Sequence, residues 1–280
     1  MSLRHDLDKR LQSLADIHKI LGSMRSLAYL EARKLTRFLS SQLRVVEHIE
    51  RAAADFLTAW PELRSVAERT QPVLVVIGSE RGFCGDFNEL LMRSLENRKH
   101  GHGAAAPRII TMGRKLTTAM AGDPRIEEGL EGPSVAEEIH GILLKLTSRV
   151  NQLSVDYGPV GLSVVFYDSE QESVREVSVL PPFVDGDKAE PNCYPPRLNL
   201  APQAFYVDLV DQYLFAVLYR MFYTSLMAEQ QFRIHHLEGA MKRLEEQAGD
   251  LTLRRNALRQ EEITEEIEVI LLGAGEQRPT

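Results

Sequence analysis

PVLVVIGSERGFCGDFN, from Pro72 to Asn88, reads as an apolar strand, a glycine-rich loop and the opening of a helix. The run Pro72–Ile77 is short and nearly all apolar, as strands covered on both faces tend to be. Arg108–Met112 is a second run of this kind. Two longer candidates, Val160–Asp168 and Val174–Leu180, flank a short polar stretch and fit an antiparallel edge hairpin. Helices are expected at Asp86–Lys99, Arg114–Ala121 and Ser134–Gln152. Strands alternating with helices predict an α/β layer. GHGAAAP (Gly101 to Pro107) reads as a loop, and PPFVDGDKAEPNCYPP (Pro181 to Pro196) as a turn-rich connection.

The loop itself admits several chemistries. A phosphate loop of the GxxxxGK[ST] kind needs a lysine to reach the phosphates and a hydroxyl to hold magnesium. Here Phe83 stands five residues after Gly78, and no lysine–hydroxyl pair follows a final glycine. The GxGxxG spacing is absent too, since Gly78, Gly82 and Gly85 are separated by four and three. A helix N-terminus attracts anions through its free N–H groups, but Asp86 stands where it would cap the helix itself. Cys84 reads as a nucleophile if helix N–H groups lower its pKa, or as a small buried residue. A structural or partner-facing turn is the favoured reading of the loop.

No other constellation reaches an active site. His235 and His236 are adjacent, so they do not share a helical face, and His100 and His102 sit in a separate glycine-rich loop, around Gly101 and Gly103. HExxH, paired cysteines and GxSxG are absent. Glu261, Glu262, Glu265, Glu266 and Glu268 form an acidic helical run, either a solvated face or a surface for a basic partner. No metal, cofactor or catalytic residue is expected.

Outside this middle the hydrophobic period changes. Leu7, Arg10, Leu14, Ile17, Leu21, Met24, Ala28, Glu31, Leu35, Phe38, Gln42, Val45, Ile49, Ala52 and Phe56 alternate in steps of three and four. Such spacing keeps one stripe toward a partner helix. Arg10, Glu31 and Gln42 interrupt the stripe. No proline occurs before Pro61, and a helix of this extent would be roughly 80 Å long. Near the C-terminus, Val207, Val210, Leu214, Val217 and Met221 form a stripe. After a wetter region at Glu229–His236 it resumes through Leu237, Met241, Leu244, Ala248, Leu251, Arg255 and Leu258. Ile263, Ile267 and Ile270 extend the apolar character beyond it. Residues 7–56 are expected to pair antiparallel with residues 207–258. The C-terminal helix is then the longer, and its Ile263–Ile270 tip is left exposed. The divisions expected are 1–60, 61–201 and 202–280.

The chain has 280 residues, a formal charge of -7 and two cysteines, Cys84 and Cys193. That balance disfavours a nucleic-acid binder, and the cysteines are too few for a disulfide scaffold. With no signal-peptide pattern and no long apolar run, an intracellular protein is expected.

Three motifs carry a resemblance. RLQSLADIHKILGSMRSLAYLEARKL resembles the form RI-SV--T-KIT-AM-MVA--KL at Arg10, Leu11, Ser13, Leu14, Lys19, Ile20, Met24, Leu27, Ala28 and Leu35. GSERGFCGDFN resembles SDRGLCGG-N at Arg81, Gly82, Cys84, Gly85 and Asn88. NALRQEEITEEIEVILLGA resembles N--RQ--IT-EI-EI--GA at Asn256, Arg259, Gln260, Ile263, Thr264, Glu266, Ile267, Gly273 and Ala274. All three are motifs of the gamma subunit of rotary ATP synthases, in that family's order. The resemblance implies an antiparallel coiled coil of the terminal helices and a central Rossmann-like α/β domain. It further implies a rotor shaft inside a ring of alpha and beta subunits, with the epsilon subunit and the membrane c-ring as further partners. Such a subunit lies at the cytoplasmic face of the cell membrane, held there through partners, and catalysis belongs to the beta subunits. Lys19, Met24, Arg81, Gly82, Cys84, Arg259, Gln260, Ile263, Thr264 and Ile267 are then expected to serve partner contact or coupling. Ala15, Ser26, Glu31 and Asp86 depart from the family pattern.

A small α/β enzyme using the Gly78–Asn88 loop, with helical oligomerisation arms, and a free coiled-coil scaffold are the alternatives from other classes.

Overall fold

A computed structural model describes residues 3–64, 70–98, 106–183 and 196–275. Helix α1 (Leu3–Ala59) runs without a proline and ends just before Pro61, whose predecessor Trp60 has left helical geometry. Helix α5 (Pro202–Gly275) opens on a proline, whose missing N–H is harmless in the first turn. Between them lie β1 (Gln71–Ile77), α2 (Phe87–Glu96), β2 (Arg108–Met112), α3 (Arg114–Ala119), β3 (Ile126–Leu130), α4 (Ile139–Tyr157), β4 (Val160–Asp168) and β5 (Ser173–Leu180). Short 3-10 turns occupy Pro61–Leu63 and Ala136–Glu138. His100, His102 and Cys193 lie outside the described residues. Among the described residues, no helix is long and apolar enough to cross a membrane.

The chain divides into two compact units, residues 28–233 and the helical ends before and after them. In the larger unit the sheet has the order β3-β2-β1-β4-β5, with β1, β2, β3 and β4 parallel and β5 antiparallel at one edge. Strand β1 is central and sorts its side chains by a period of two. Val73, Val75 and Ile77 join Leu143 and Leu146 of α4, Leu35 of α1, and Leu218 and Phe222 of α5. Leu74 and Val76 face Phe87 and Leu91 of α2 and Leu116 of α3. Both faces are therefore covered, which is why the strand carries no alternating polar residues.

The expected strands are present, with β5 the antiparallel edge. Strand β3 was not expected. Its sequence, IEEGL, holds two acids and a glycine, and it lies half-buried at the other edge. Arg108 and Arg149 pair with Glu127, and Arg149 with Glu128. Charges of this kind protect an edge from unwanted strand addition.

Helices α1 and α5 contact one another in both units. Within the larger one, Phe38 stacks on Tyr223 at 5.4 Å, and Phe56 packs on Phe205 and Tyr206. Glu31, the polar break in the α1 stripe, is buried: it accepts from Ala136 N at 2.7 Å and from Lys34 at 3.1 Å. Among the helical ends, Leu21 packs with Leu237 and Met241, and Met24 and Leu244 border them. Arg4 pairs with Glu262, Asp8 with Arg255, His18 with Glu245 and Arg25 with Glu238. Position numbers on one helix rise as those on the other fall. Leu14 and Leu251 line one groove of about 490 Å³.

Candidate functional site

Gly78 to Asn88 leaves the end of β1 and enters α2. The glycines permit close approach by protein. A Cβ on Gly78 would meet Leu116 Cβ at 2.4 Å, so α3 packs against the loop only because that side chain is missing. Gly113, at the start of α3, has φ 105°, and a Cβ there would meet the Ser79 carbonyl oxygen at 2.6 Å. The loop then turns through left-handed backbone at Phe83 (φ 63°) and Gly85 (φ 55°). Phenylalanine seldom adopts such a φ, so its neighbours must hold the conformation.

Those neighbours are polar and mostly buried. Glu80, 7% exposed, accepts from the backbone N–H groups of Arg114 (2.9 Å) and Gly132 (3.0 Å) and from the Arg114 side chain. Burial opposes its ionisation, but those amide donors and the guanidinium outweigh it, and the carboxyl sits below its ordinary range. Ser79 N donates to Asn88 Oδ1 at 3.0 Å, and Asn88 Nδ2 donates to Ser79 Oγ at 2.8 Å. Cys84 Sγ donates to Ser79 Oγ at 3.3 Å. Burial pushes the Cys84 thiol up from its usual pKa despite that hydrogen bond, the opposite of what an activated nucleophile needs.

Asp86 does not fill the cap expected of it. It is the N-cap residue, but at φ -90°, ψ 10° its side chain makes no capping hydrogen bond. Its backbone is nearly helical already and lacks the extended geometry that turns a cap side chain toward the first amides. Asn88, two residues on, binds the loop instead.

The polar cluster on α5 was missed. The stretch read as wet, from Glu229, contains Glu229 (3% exposed), Gln230 (3%) and Arg233 (7%). Arg233 donates to Glu229, to Gln230 Oε1 at 2.8 Å and to the Gly82 carbonyl oxygen at 3.3 Å. Ser225 Oγ donates to the Ile77 carbonyl oxygen at 3.3 Å. Complete burial pushes the Glu229 carboxyl up to about 7, against the pull of Arg233. A Glu followed four residues later by Arg is the favourable helical orientation. That pair, set among Leu226, Met227, Ala228 and Phe232, was the available signal.

The remaining expected residues are dispersed. Lys19 is exposed and pairs with Asp16, while Met24 is half-buried beside the Leu21–Leu237 cluster. Arg81 is exposed and, with Arg114 and Lys145, lines a groove of about 420 Å³. Arg259 and Gln260 are exposed, and the Gln260 carbonyl accepts from Thr264 Oγ1 at 2.8 Å. Ile263 and Ile267 are exposed too, as expected for the longer helix. Among the described residues, no group of His, Cys, Asp and Glu is placed to hold a metal ion.

The sequence model of the family described as ATP synthase matches residues 4–275. The ATP synthase gamma chain of Anaeromyxobacter sp. (strain Fw109-5) is 27% identical, over 94% of this chain and 99% of that relative. That of Clostridium beijerinckii is 24% identical over 97% of each. Among solved structures, the rotor of the Euglena gracilis mitochondrial ATP synthase matches with a TM-score of 0.64 at 14% identity, covering 93% of this chain and 98% of that one. A chain of the Tetrahymena thermophila mitochondrial central stalk and c-ring gives 0.55 at 15% identity, over 79% and 99%. The structural matches show a shared fold, and the family model spans nearly all of the sequence: the chain belongs to the ATP synthase gamma chain family.

Proposed function

We propose that this chain is the central-stalk rotor of a rotary ATP synthase. In this reading its terminal helices form an antiparallel coiled coil that turns inside a ring of alpha and beta subunits. The divisions 1–60, 61–201 and 202–280 are the N-terminal shaft helix, a Rossmann-like domain and the C-terminal shaft helix. The domain meets the epsilon subunit and the membrane c-ring, and the chain is held at the cytoplasmic face of the membrane through these partners. It couples ion flow to ATP synthesis or hydrolysis at sites on beta and has no active site of its own.

The observation that carries the reading is the apolar surface left in solvent on the helical ends. Ile20 is 60% exposed, Leu27 66%, Leu253 70% and Ile270 68%. Exposed apolar side chains in such number mark a surface made for protein partners, and a shaft within a ring supplies them along its length. Lys19, Met24, Arg81, Arg259, Gln260, Ile263, Thr264 and Ile267 are the contacts we assign to partners. Gly82 and Cys84 serve coupling through the shape of the loop.

Co-purification from native membranes with protein identification tests this. The chain should travel with alpha, beta and epsilon subunits, and alone it should neither bind nor hydrolyse ATP. Micromolar ATP binding by the isolated chain, lost when Arg81 and Asp86 are changed, would overturn the reading in favour of an α/β enzyme.

A further inference from the structure

Arg233 is the last α5 residue of the 28–233 unit. Its hydrogen bonds go to Glu229, Gln230 and the Gly82 carbonyl oxygen. Glu229 and Gln230 share its helix, so the bond to Gly82 is the one that crosses to another element. Gly82 directly precedes Phe83, whose left-handed backbone needs outside support. A guanidinium has the planar fork to reach several acceptors in fixed directions, which an ammonium lacks.

Stability alone is a poor reason to keep this arrangement. Apolar residues of similar volume in place of a buried ion pair are often neutral or better, whereas removing one partner is costly. The pair is buried, and the residue before each, Ala228 and Phe232, belongs to the apolar cluster on one face of the sheet. What apolar side chains cannot reproduce is the bond to the loop backbone.

We propose that Arg233 is a positioning residue that fastens the Gly78–Asn88 loop to α5, with Glu229 and Gln230 holding its guanidinium for that task. For its consequence in coupling this rests on the central-stalk reading: a loop fastened to α5 moves with the shaft, and a loosened one lags.

The test is amide hydrogen exchange on the full chain carrying Glu229→Met together with Arg233→Met. The Ser79 and Phe87 amides, which donate to Asn88 Oδ1 and to the Cys84 carbonyl oxygen, should exchange about tenfold faster or more, while those of β2 keep their protection and the thermal midpoint holds. Arg233→Lys keeps a charge for Glu229 but not the fork, and should speed the same amides even if the double variant does not fold. In reconstituted complexes of normal subunit content, either variant should lower ion pumping per ATP hydrolysed. Unchanged exchange at Ser79 and Phe87 in the folded variants would overturn the fastening role. Faster exchange with an unchanged pumping ratio would overturn its part in coupling. Unmodified complexes that fail to pump would count against the central-stalk reading, and the exchange result would still decide the fastening.

Discussion

Helix α1 uses the same spacing of apolar residues in both compact units, with different results. From Ala28 onward it buries Ala28, Leu35, Val46, Ala53, Phe56 and Leu57, Leu35 and Phe56 completely, although Leu30, Phe38 and Val45 stay exposed there, Phe38 and Val45 against the expected stripe. Before that point Leu21 is its buried apolar residue, while Ile17 and Ile20 lie in solvent. A heptad records that a helix has a partner for each stripe. It does not say whether the partner belongs to the same chain. The larger unit supplies its own partners through the sheet and α4. The helical ends keep a surplus of apolar surface, and this contrast is what experiments can break or sharpen.

The largest expected effect is in the larger unit. Phe222→Ala removes a fully buried ring packed against β1 and α4 and should cost about 3–5 kcal/mol. A loss below about 1 kcal/mol in chemical denaturation would show that this core is looser than its burial implies.

Next comes a pH dependence in the same unit. The Glu229 carboxyl is raised to about 7 in the folded chain from its ordinary value of 4.5. The folded state therefore binds the proton more tightly than the unfolded one. The resulting stabilisation is complete below about pH 4.5 and is lost as pH rises through about 7. Glu229→Gln should remove the loss, so that its thermal midpoint exceeds that of the unmodified chain by more at pH 8 than at pH 5.5. An equal difference at both pH values would show that burial does not move the Glu229 titration into that window.

For the helical ends the prediction reverses. Ile20→Ser and Leu27→Ser should change the stability of the isolated chain by less than about 0.5 kcal/mol. The same pair should weaken retention of the chain in assembled complexes, read as subunit content after washing. Large destabilisation of the isolated chain would mean that its own residues already cover these positions.

The smallest effect on stability belongs to Arg259→Ala, which should leave folding and assembly intact. It should slow ATP turnover or lower pumping per ATP in reconstituted complexes, because a guanidinium meets a carboxylate in a forked geometry that alanine lacks. Unchanged turnover and pumping at normal subunit content would remove Arg259 from any coupling role.

Much of the fold was legible because burial on both faces writes itself as apolar runs. β1 and β2 announce themselves that way, and β4 with β5 through the polar turn between them. β3 did not, because an edge strand is free to carry Glu127, Glu128 and Gly129. The candidate site was legible at the loop but not at its holder. Arg233 and Glu229 look like solvent-facing residues in a linear reading, since the acceptor that Arg233 finds at Gly82 is remote in sequence. Asp86 and Asn88 show the same limit at short range, where a small difference in φ and ψ decides which side chain binds the backbone.

Glu31 breaks the apolar stripe of α1, yet it is buried against the Ala136 amide and Lys34. Its consequence is one of registration. If α1 slid along its axis by one turn, Lys34 would travel with the carboxylate, but the Ala136 amide would lose its acceptor and Glu31 its one donor from another element. A buried amide and carboxylate parted from one another cost more than a poor apolar contact. Apolar stripes tolerate a slip of one repeat, because one leucine resembles the next. A single carboxylate does not, so Glu31 acts as a key in a keyway, admitting α1 in one phase against the segment that leads into α4.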